Sequence, residues 1–181
     1  MPRVWLHLPE LRLRIVGGSQ AEHYVRLFAP SKNLLNLDPR IQLHGFVEDL
    51  RPFYAQAWVV LAPLVVSAGT NIKVLAAMAC QRAVVTTPVG CQGLDLIDGH
   101  DAVIRSEMEE IAESVVQLVI NKSLRSRIAR NARATIEQRF TWDRAADLAY
   151  ESYLRLAYAQ CRPAVDLFDD FSPAGRPITV A

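Results

Sequence analysis

The apolar positions of the chain alternate between two kinds of segment. Short runs rich in β-branched residues occur at 11–16, 41–46, 58–64, 83–87 and 101–105. Longer stretches, in which apolar residues recur three and four positions apart, lie between these runs. This alternation predicts parallel strands that are connected by helices. The runs WVVLAPL and AVVTT are almost wholly apolar, so we expect those two strands to be buried on both faces.

Polar residues mark the starts of several helices. The pairs Ser19–Glu22 and Ser106–Glu109 have the spacing of a capping box, in which the serine and the glutamate bind each other's backbone amides. Asn121 and Thr141 each precede a stretch with helical spacing. We therefore expect both residues to cap the helix that follows.

The order of elements predicts a single α/β domain with a Rossmann-like, doubly wound parallel sheet over residues 1–160. Residues 161–181 contain three prolines and have no periodicity, so we expect a mobile or loosely docked tail. The segment PRVWLHLPE has the pattern of a helix and leads directly into the strand at 11–16. Because a doubly wound domain normally opens on a strand, we expect this sheet to lack its first strand.

Charge and composition exclude several classes of protein. The 20 basic and 19 acidic residues give a net charge of +1, which does not favour a nucleic-acid partner. No apolar run is long enough to span a membrane, and the N-terminal residues lack the cleavage site of a signal peptide. Cys80, Cys91 and Cys161 have no CxxC spacing, and the four histidines are scattered. We expect reduced thiols, no metal site and a cytoplasmic location.

A stretch near the C-terminus is rich in arginine. Such a helix face would suit peripheral contact with anionic lipid, or nucleic acid, but a solvated helix surface is the interpretation that we favour. The basic residues of this stretch are Lys122, Arg125, Arg127, Arg130, Arg133, Arg139 and Arg144, against Glu137 and Asp143.

The loop after the strand at 58–64 is the best candidate for a binding site. It lies at the carboxyl end of a predicted parallel strand and at the start of a helix predicted from Ile72 to Cys80, where α/β sheets bind ligands. Free N–H groups and the helix dipole favour a phosphate there. Gly69 permits close backbone approach, Thr70 and Asn71 offer side-chain hydrogen bonds, and Lys73 adds a positive charge. The alternative is that Ser67 or Thr70 only caps the helix and that Lys73 is a solvated surface charge.

The segment GTNIKVLAAMACQRAVVTTPVGCQGL, residues 69–94, resembles the motif G-T-x-x-K-x-L-E-A-M-A-x-G-x-P-V-V of the group 1 (family 4) glycosyltransferases. LRLRIVGG, IQLHGFVEDLRPFYAQAWVVLAPL and ARNARATIEQRFTWDRAADLAYESYL resemble other parts of the same family, so the similarity covers about residues 9–157. Several ordered motifs at consistent spacing are far more specific than a single glycine pattern.

The resemblance implies the C-terminal lobe of a two-lobed GT-B enzyme. This lobe would bind a nucleotide-diphosphate sugar as the donor substrate, without a cofactor, for retaining transfer of a hexosyl group to a saccharide or lipid-linked acceptor. The N-terminal lobe, which would be a missing partner, would supply the acceptor site and part of the catalytic machinery, so no catalytic residue is assigned in this chain. The alternative is a catalytically inactive remnant that serves as an interaction module.

The resemblance also assigns residues to the donor site. It places Gly17 and Gly18 at the turn near the donor, and Phe46 and Val47 in the loop that meets the nucleotide base. For Phe46, a position in the core is the interpretation that we favour. The backbone of Gly69–Ile72 would meet the diphosphate.

Four positions depart from the family pattern. Ala68 and Ala76 replace two glutamates, of which the second normally binds the nucleotide ribose, and Gln81 and Ala83 replace a glycine and a proline. Because methyl groups cannot replace charge-assisted hydrogen bonds, we expect a weakened or decayed donor site. A glutamine in a left-handed helix cap would cost about 1 kcal/mol.

Overall fold

The computed structural model describes residues 1–17, 38–67 and 69–160, with side chains as far as Tyr158. The contacts divide the chain into two compact units, Met1–Gln138 and Arg139–Ala181. The pair Ser19–Glu22, together with Gly18, Ala68 and the tail from residue 161, lies outside the described residues. The predictions made for these positions, and for a missing first strand, stay predictions.

The first unit is built from short parallel strands and helices, which confirms the predicted α/β class. All five predicted strands form, each within its predicted run but shorter than it. The described strands make two parallel sheets, one of order β1-β2 and one of order β3-β4-β5. The elements are α1 (Pro2–His7), β1 (Leu13–Val16), β2 (Ile41–His44), α2 (Arg51–Gln56), β3 (Val59–Ala62), α3 (Ile72–Ala79), β4 (Ala83–Thr86), β5 (Val103–Ile104), α4 (Met108–Ile120) and α5 (Lys122–Arg139).

Strand β4 lies at the centre of the three-stranded sheet and is buried on both faces, as its apolar sequence predicts. Ala83 and Val85 pack with Val103 of β5 and with the apolar face of α4. Because side chains alternate along a strand, Val84 and Thr86 point to the opposite face, on the side of α3. The core thus fixes α3 against the strand that it precedes. The residues that form the cluster on the α4 side are Val4, Ala83, Val85, Val103, Ile111, Val115, Leu118 and Ile128.

The prediction that β3 is buried on both faces is wrong. Only Ala62 of this strand is buried, and Val59, Val60 and Leu61 are half-buried. Among the described strands, β3 pairs only with β4, so it forms an edge of its sheet. An edge strand is covered less completely than a central one, although both have the same apolar sequence pattern.

The helix starts follow the sequence in two of three described cases. Asn121 caps α5, since its Oδ1 accepts a hydrogen bond from the amide of Leu124 at 2.9 Å. Thr141 caps the next helix through the amide of Arg144, at 3.2 Å. The capping box at Ser106 is wrong, because α4 begins at Met108 and Glu107 is the residue before it, with no side-chain cap.

Three arginines of α5 bind backbone carbonyls instead of facing only solvent. Arg125 Nη1 donates to the carbonyls of Leu118 and Val119 at 2.7 and 2.8 Å, near the C-terminal end of α4. Arg133 donates to the carbonyl of Ala79 at the end of α3, and Arg127 donates to that of Gly99 at 3.2 Å. Cations at helix C-termini are favourable, so much of this basic stretch has a structural role.

The second unit contains helix α6 (Trp142–Gln160), whose described side chains are all exposed within the unit. Trp142, Tyr150 and Tyr153 are 91%, 65% and 72% exposed. The guanidinium carbon of Arg139 lies 5.3 Å from the centre of the Phe140 ring. Over both units, none of the helices in the described part of the chain is long and apolar enough to cross a membrane.

Helix α3 ends in a left-handed turn at Gln81, as the resemblance implies. Its φ angle is +54°. The amide of Gln81 donates to the carbonyl of Met78 at 2.9 Å, and that of Arg82 donates to Ala77 at 3.0 Å, which is the pattern of a Schellman motif. A side chain in this conformation is strained, and glycine is the residue that avoids the strain.

We therefore predict that Gln81→Gly raises the free energy of unfolding by about 0.5–1 kcal/mol, because it relieves the strain at φ +54°. Urea denaturation followed by circular dichroism measures the change. Gln92→Gly is the matched control, since Gln92 is exposed and does not have a positive φ. It should leave stability unchanged or lower it. A loss of stability in Gln81→Gly would contradict the prediction.

Candidate functional site

The loops that follow β3 and β4 form the candidate site. They leave the sheet at its carboxyl edge, because the two strands are parallel and in register, with Ala62 opposite Thr86. The first loop, residues 63–71, leads into α3, and the second, residues 87–94, follows β4. Both loops therefore meet at the N-terminal end of α3, the place that the sequence predicts for a ligand.

A buried asparagine joins the two loops. Asn71 is 8% exposed, and its Nδ2 donates to the carbonyls of Gly90 and Val89 at 3.0 and 3.3 Å. Ser67 Oγ lies 3.2 Å from Asn71 Oδ1 and 3.0 Å from the carbonyl of Gly69, so its proton is shared between these acceptors. The side chain of Asn71 thus holds the loops together, and a ligand would meet this residue through its backbone.

Two threonines extend this connection into the sheet. Thr86 Oγ1 donates to the carbonyl of Ala62 at 2.9 Å, and Thr87 Oγ1 donates to that of Leu64 at 2.5 Å. Thr87 Oγ1 also accepts a hydrogen bond from the amide of Gly90 at 3.1 Å. Both threonines are buried, so these bonds are shielded from water and fix the spacing of the loops.

Gly90 is required by close packing. A Cβ atom at this position would lie 2.0 Å from Thr86 Oγ1 and 3.2 Å from the carbonyl oxygen of Ala62. No side chain fits there without moving the β4 end. The sequence gives no signal for the roles of Thr86 and Thr87, since the carbonyls to which they donate lie 24 and 23 residues away.

The N-terminal end of α3 has no side-chain cap. Asn71 occupies the N-cap position, but its side chain points to the other loop, and neither Ser67 nor Thr70 replaces it. Backbone turns satisfy two amides, since Ile72 N donates to Thr70 O at 3.0 Å and Val74 N donates to Asn71 O at 2.9 Å. Within the described residues, the amides of Gly69, Thr70, Asn71 and Lys73 have no acceptor. Several donors near the positive end of the helix dipole are thus available to an anion.

Gly69 gives this loop its shape. Its φ angle is +125°, a conformation in which other residues are strained, and an added Cβ would meet nothing within 4 Å. The glycine is therefore required by the backbone conformation and not by packing. Thr70 and Lys73 are exposed beside it, so both side chains are free to reach a ligand.

The mouth of the site carries exposed apolar side chains. Val65, Val66 and Ile72 are 76%, 79% and 74% exposed. Phe46, for which a core position was favoured, is 75% exposed after β2, so that expectation is wrong. None of the described residues packs over the loop after β2, so the ring of Phe46 stays in solvent.

The other predicted site residues lie at the ends of the first sheet. Gly17 follows β1, where its amide donates to the carbonyl of His44 at 3.1 Å, and Val47 is half-buried after β2. In the described residues, no hydrogen bond joins Gly17, Phe46 or Val47 to the loop at 67–73. The structure brings together Ser67, Gly69 and Asn71, with Thr70, Ile72 and Lys73 following in the same segment.

The charge at the site comes from Lys73 and from the helix. Burial raises the pKa of the Cys91 thiol in the second loop, so this group stays neutral and offers no competing thiolate. Ala76, where the family motif has glutamate, is half-buried one turn beyond Lys73. Residues 1–17, 38–67 and 69–160 contain no group of three or more His, Cys, Asp or Glu side chains that could hold a metal ion.

We predict that Asn71→Asp loosens the two loops, because a carboxylate cannot donate to the carbonyls of Val89 and Gly90 and would repel them. The loss of both bonds in a buried site should lower the free energy of unfolding by about 2–4 kcal/mol. Urea denaturation measures it. Asn131→Asp makes the same change at a more exposed asparagine, which donates to the carbonyl of His100 at 3.3 Å, and should have a smaller effect. Equal losses for the two variants would contradict the assigned role of Asn71.

Comparison with known proteins gives a family. The model of a family described as "Glycosyl transferases group 1" matches residues 1–121. An uncharacterized glycosyltransferase of Methanocaldococcus jannaschii, MJ1069, is 31% identical over 81 residues, which are 42% of this chain and 20% of that protein.

Solved structures show the same fold. The C-terminal domain of a glycosyl transferase group 1 family protein (LpcC) from Francisella tularensis superposes with a TM-score of 0.55 and 16% identity, over 77% of this chain and 92% of that domain. Anabaena Alr3699/HepE in complex with UDP and glucose superposes with a TM-score of 0.69 and 19% identity, over 86% of this chain and 44% of that chain. The chain therefore spans less than half of the HepE chain and a fifth of the curated relative.

Proposed function

Since the chain belongs to the group 1 glycosyl transferases, we propose that it is a donor-binding lobe that holds a nucleotide-diphosphate sugar at the N-terminal end of α3. The observation that carries this proposal is the uncapped start of α3, where the amides of Gly69, Thr70 and Lys73 have no acceptor among the described residues. HepE, which has the same fold, binds UDP and glucose in its own structure. The likeness supports a nucleotide sugar of that general class for this chain.

The proposed chemistry follows from the charge that develops in the transfer. When the bond between the sugar and the diphosphate breaks, negative charge grows on the diphosphate. Amides of Gly69, Thr70 and Lys73 would donate hydrogen bonds to its oxygens, and the helix dipole and the Lys73 ammonium would stabilise it further. Because Asn71 and Thr87 hold these amides in place before the donor arrives, little reorganisation is needed.

The remaining parts of the proposal come from the family pattern. Transfer would retain the configuration of the donor carbon and would deliver a hexosyl group to a saccharide or lipid-linked acceptor. The acceptor site and part of the catalytic machinery would belong to an N-terminal lobe that completes the enzyme. The nucleotide sugar would be a substrate, and the reaction would need no resident cofactor.

The first test changes the shape of the loop at Gly69. Gly69→Ala should weaken UDP and UDP-glucose binding at least about tenfold, since the strained backbone would withdraw one or more amides from the diphosphate. Isothermal titration calorimetry with UDP-, GDP- and ADP-sugars measures this and also identifies the base.

Gly93→Ala is the matched control for that variant. Gly93 also has a positive φ, +75°, and open space around its missing Cβ, but lies in the second loop and forms no hydrogen bond with residues 69–73. It should change nucleotide affinity little. No binding of any of these nucleotides at millimolar concentration, or equal losses in both variants, would refute the proposed donor site.

A second candidate function is that of an interaction module without activity. Ala76 favours it, because the carboxylate that would bind the ribose is absent. So does α6, whose large apolar side chains are exposed within their unit. The two candidates differ in whether the nucleotide site persists in weakened form.

Restoring the carboxylate separates these candidates. If the site persists, Ala76→Glu should raise the affinity for UDP-glucose by about tenfold or more, as expected for charge-assisted hydrogen bonds to the ribose hydroxyls. Gln117→Glu on the exposed face of α4 adds the same charge elsewhere and should have no effect. An Ala76→Glu variant that folds but gains no affinity would favour the interaction module.

A further inference from the structure

The amino-terminal edge of the three-stranded sheet contains a cleft that the proposed transferase function does not use. Its volume is about 680 Å³. Trp58, directly before β3, and Arg82, directly before β4, form one side, and Arg125 and Arg130 of α5 form another. The strands run away from this cleft toward the candidate donor site, so the two sites lie at opposite ends of the sheet.

The cleft is strongly basic. Three arginines line it, and none of its lining residues is an aspartate or glutamate. Within the described part of the chain, Arg82, Arg125 and Arg130 form no ion pair with a carboxylate. A guanidinium stays charged at all relevant pH values, so three full positive charges face one concave surface.

Two of these guanidinium groups are held in position before any ligand arrives. Arg82 donates from Nε to the carbonyl of Cys80 at 3.1 Å and from Nη1 to that of Ala57 at 3.2 Å. Arg125 donates to two carbonyls of α4 and lies 4.7 Å from the centre of the Trp58 ring. Arg82 Nη2, and Arg125 Nε and Nη2, have no acceptor among the described residues. Fixed side chains with free donors lose little entropy when they bind an anion.

Helix ends reduce the charge of the cleft but do not cancel it. The C-terminal ends of α3 and α4 lie beside Arg82 and Arg125, and each carries about half a negative charge. Together they offset about one of the three positive charges, which leaves a surplus of about two. A phosphate group carries nearly that charge at neutral pH and has three oxygens that suit guanidinium donors, whereas a single carboxylate has only half of it.

We propose that this cleft is a second anion site, which binds a phosphate group between Arg82, Arg125 and Arg130. The phosphate could belong to a free phosphorylated molecule or to the headgroup of a lipid. Trp58, which lines the cleft and is 57% exposed, would meet the remainder of either ligand. The side chain of Arg130 has no hydrogen-bond partner among the described residues, and binding of a phosphate group gives it one.

The experiment titrates the full chain, labelled with ¹⁵N, with pyrophosphate and with phosphatidic acid in phosphatidylcholine vesicles. The indole N–H signal of Trp58, assigned with Trp58→Phe, reports the cleft, and the amide signals of residues 69–73 report the donor site separately. Arg130→Gln removes one guanidinium without disturbing a bond that the fold uses. Lys122→Gln removes the same charge from an exposed position of α5 outside the cleft.

The proposal expects a saturable shift of the Trp58 signal, weakened about tenfold in Arg130→Gln and changed less than about twofold in Lys122→Gln. Sedimentation with vesicles that contain phosphatidic acid, but not with pure phosphatidylcholine, and its loss in Arg130→Gln identify a lipid source. Saturable pyrophosphate binding without vesicle binding identifies a free ligand. A shift confined to residues 69–73, a Trp58 shift that does not saturate, or equal effects of both substitutions overturns the proposal.

Discussion

The hydrogen bonds from Asn71 to the carbonyls of Val89 and Gly90 are the interaction on which the candidate site depends. They are buried, where a hydrogen bond is stronger than in water and an unsatisfied polar group is strongly destabilising. They also determine whether the N-terminal end of α3 has a side-chain cap. Because the asparagine side chain reaches across to the second loop, it does not cap its own helix. Asn71 thus holds the two loops together and leaves the first amides of α3 without a side-chain cap.

The dipole of α3 places opposite partial charges at the two edges of the three-stranded sheet. The N-terminal end of α3 lies at the carboxyl edge of the sheet, where its dipole favours an anion. Its C-terminal end lies at the opposite edge, and there Arg82 and Arg133 donate to the carbonyls of Cys80 and Ala79. Arg125 does the same for α4. Arg125 and Arg133 of the arginine-rich helix α5 therefore complement helix ends, and their charge is partly offset there.

Local sequence signals predicted the parts of the fold that depend on neighbouring residues. The apolar run of β4, the caps at Asn121 and Thr141 and the helix after residue 71 are of this kind. Ser106 has the correct spacing for a cap and fails, because α4 begins at Met108 instead. Signals in the sequence could not reveal the role of Asn71, of Thr87 or of Arg133. The carbonyls to which these side chains donate lie 18 to 54 residues away, so only the folded chain brings them together.

The buried residues that connect the two loops and the exposed residues of the first loop give different evidence on whether the site binds a ligand. Asn71, Thr86, Thr87 and Gly90 stabilise the fold, so even an inactive chain needs them. Gly69 is different, because its φ of +125° carries conformational entropy loss and no packing contact in return. Val65, Val66 and Ile72 beside it keep large apolar surfaces in water, which also gives the isolated fold nothing. The first loop thus combines a backbone conformation that suits glycine, a helix start without a side-chain cap and exposed apolar side chains, none of which the fold alone requires. Binding of the proposed diphosphate at the positive end of α3 would stabilise this segment.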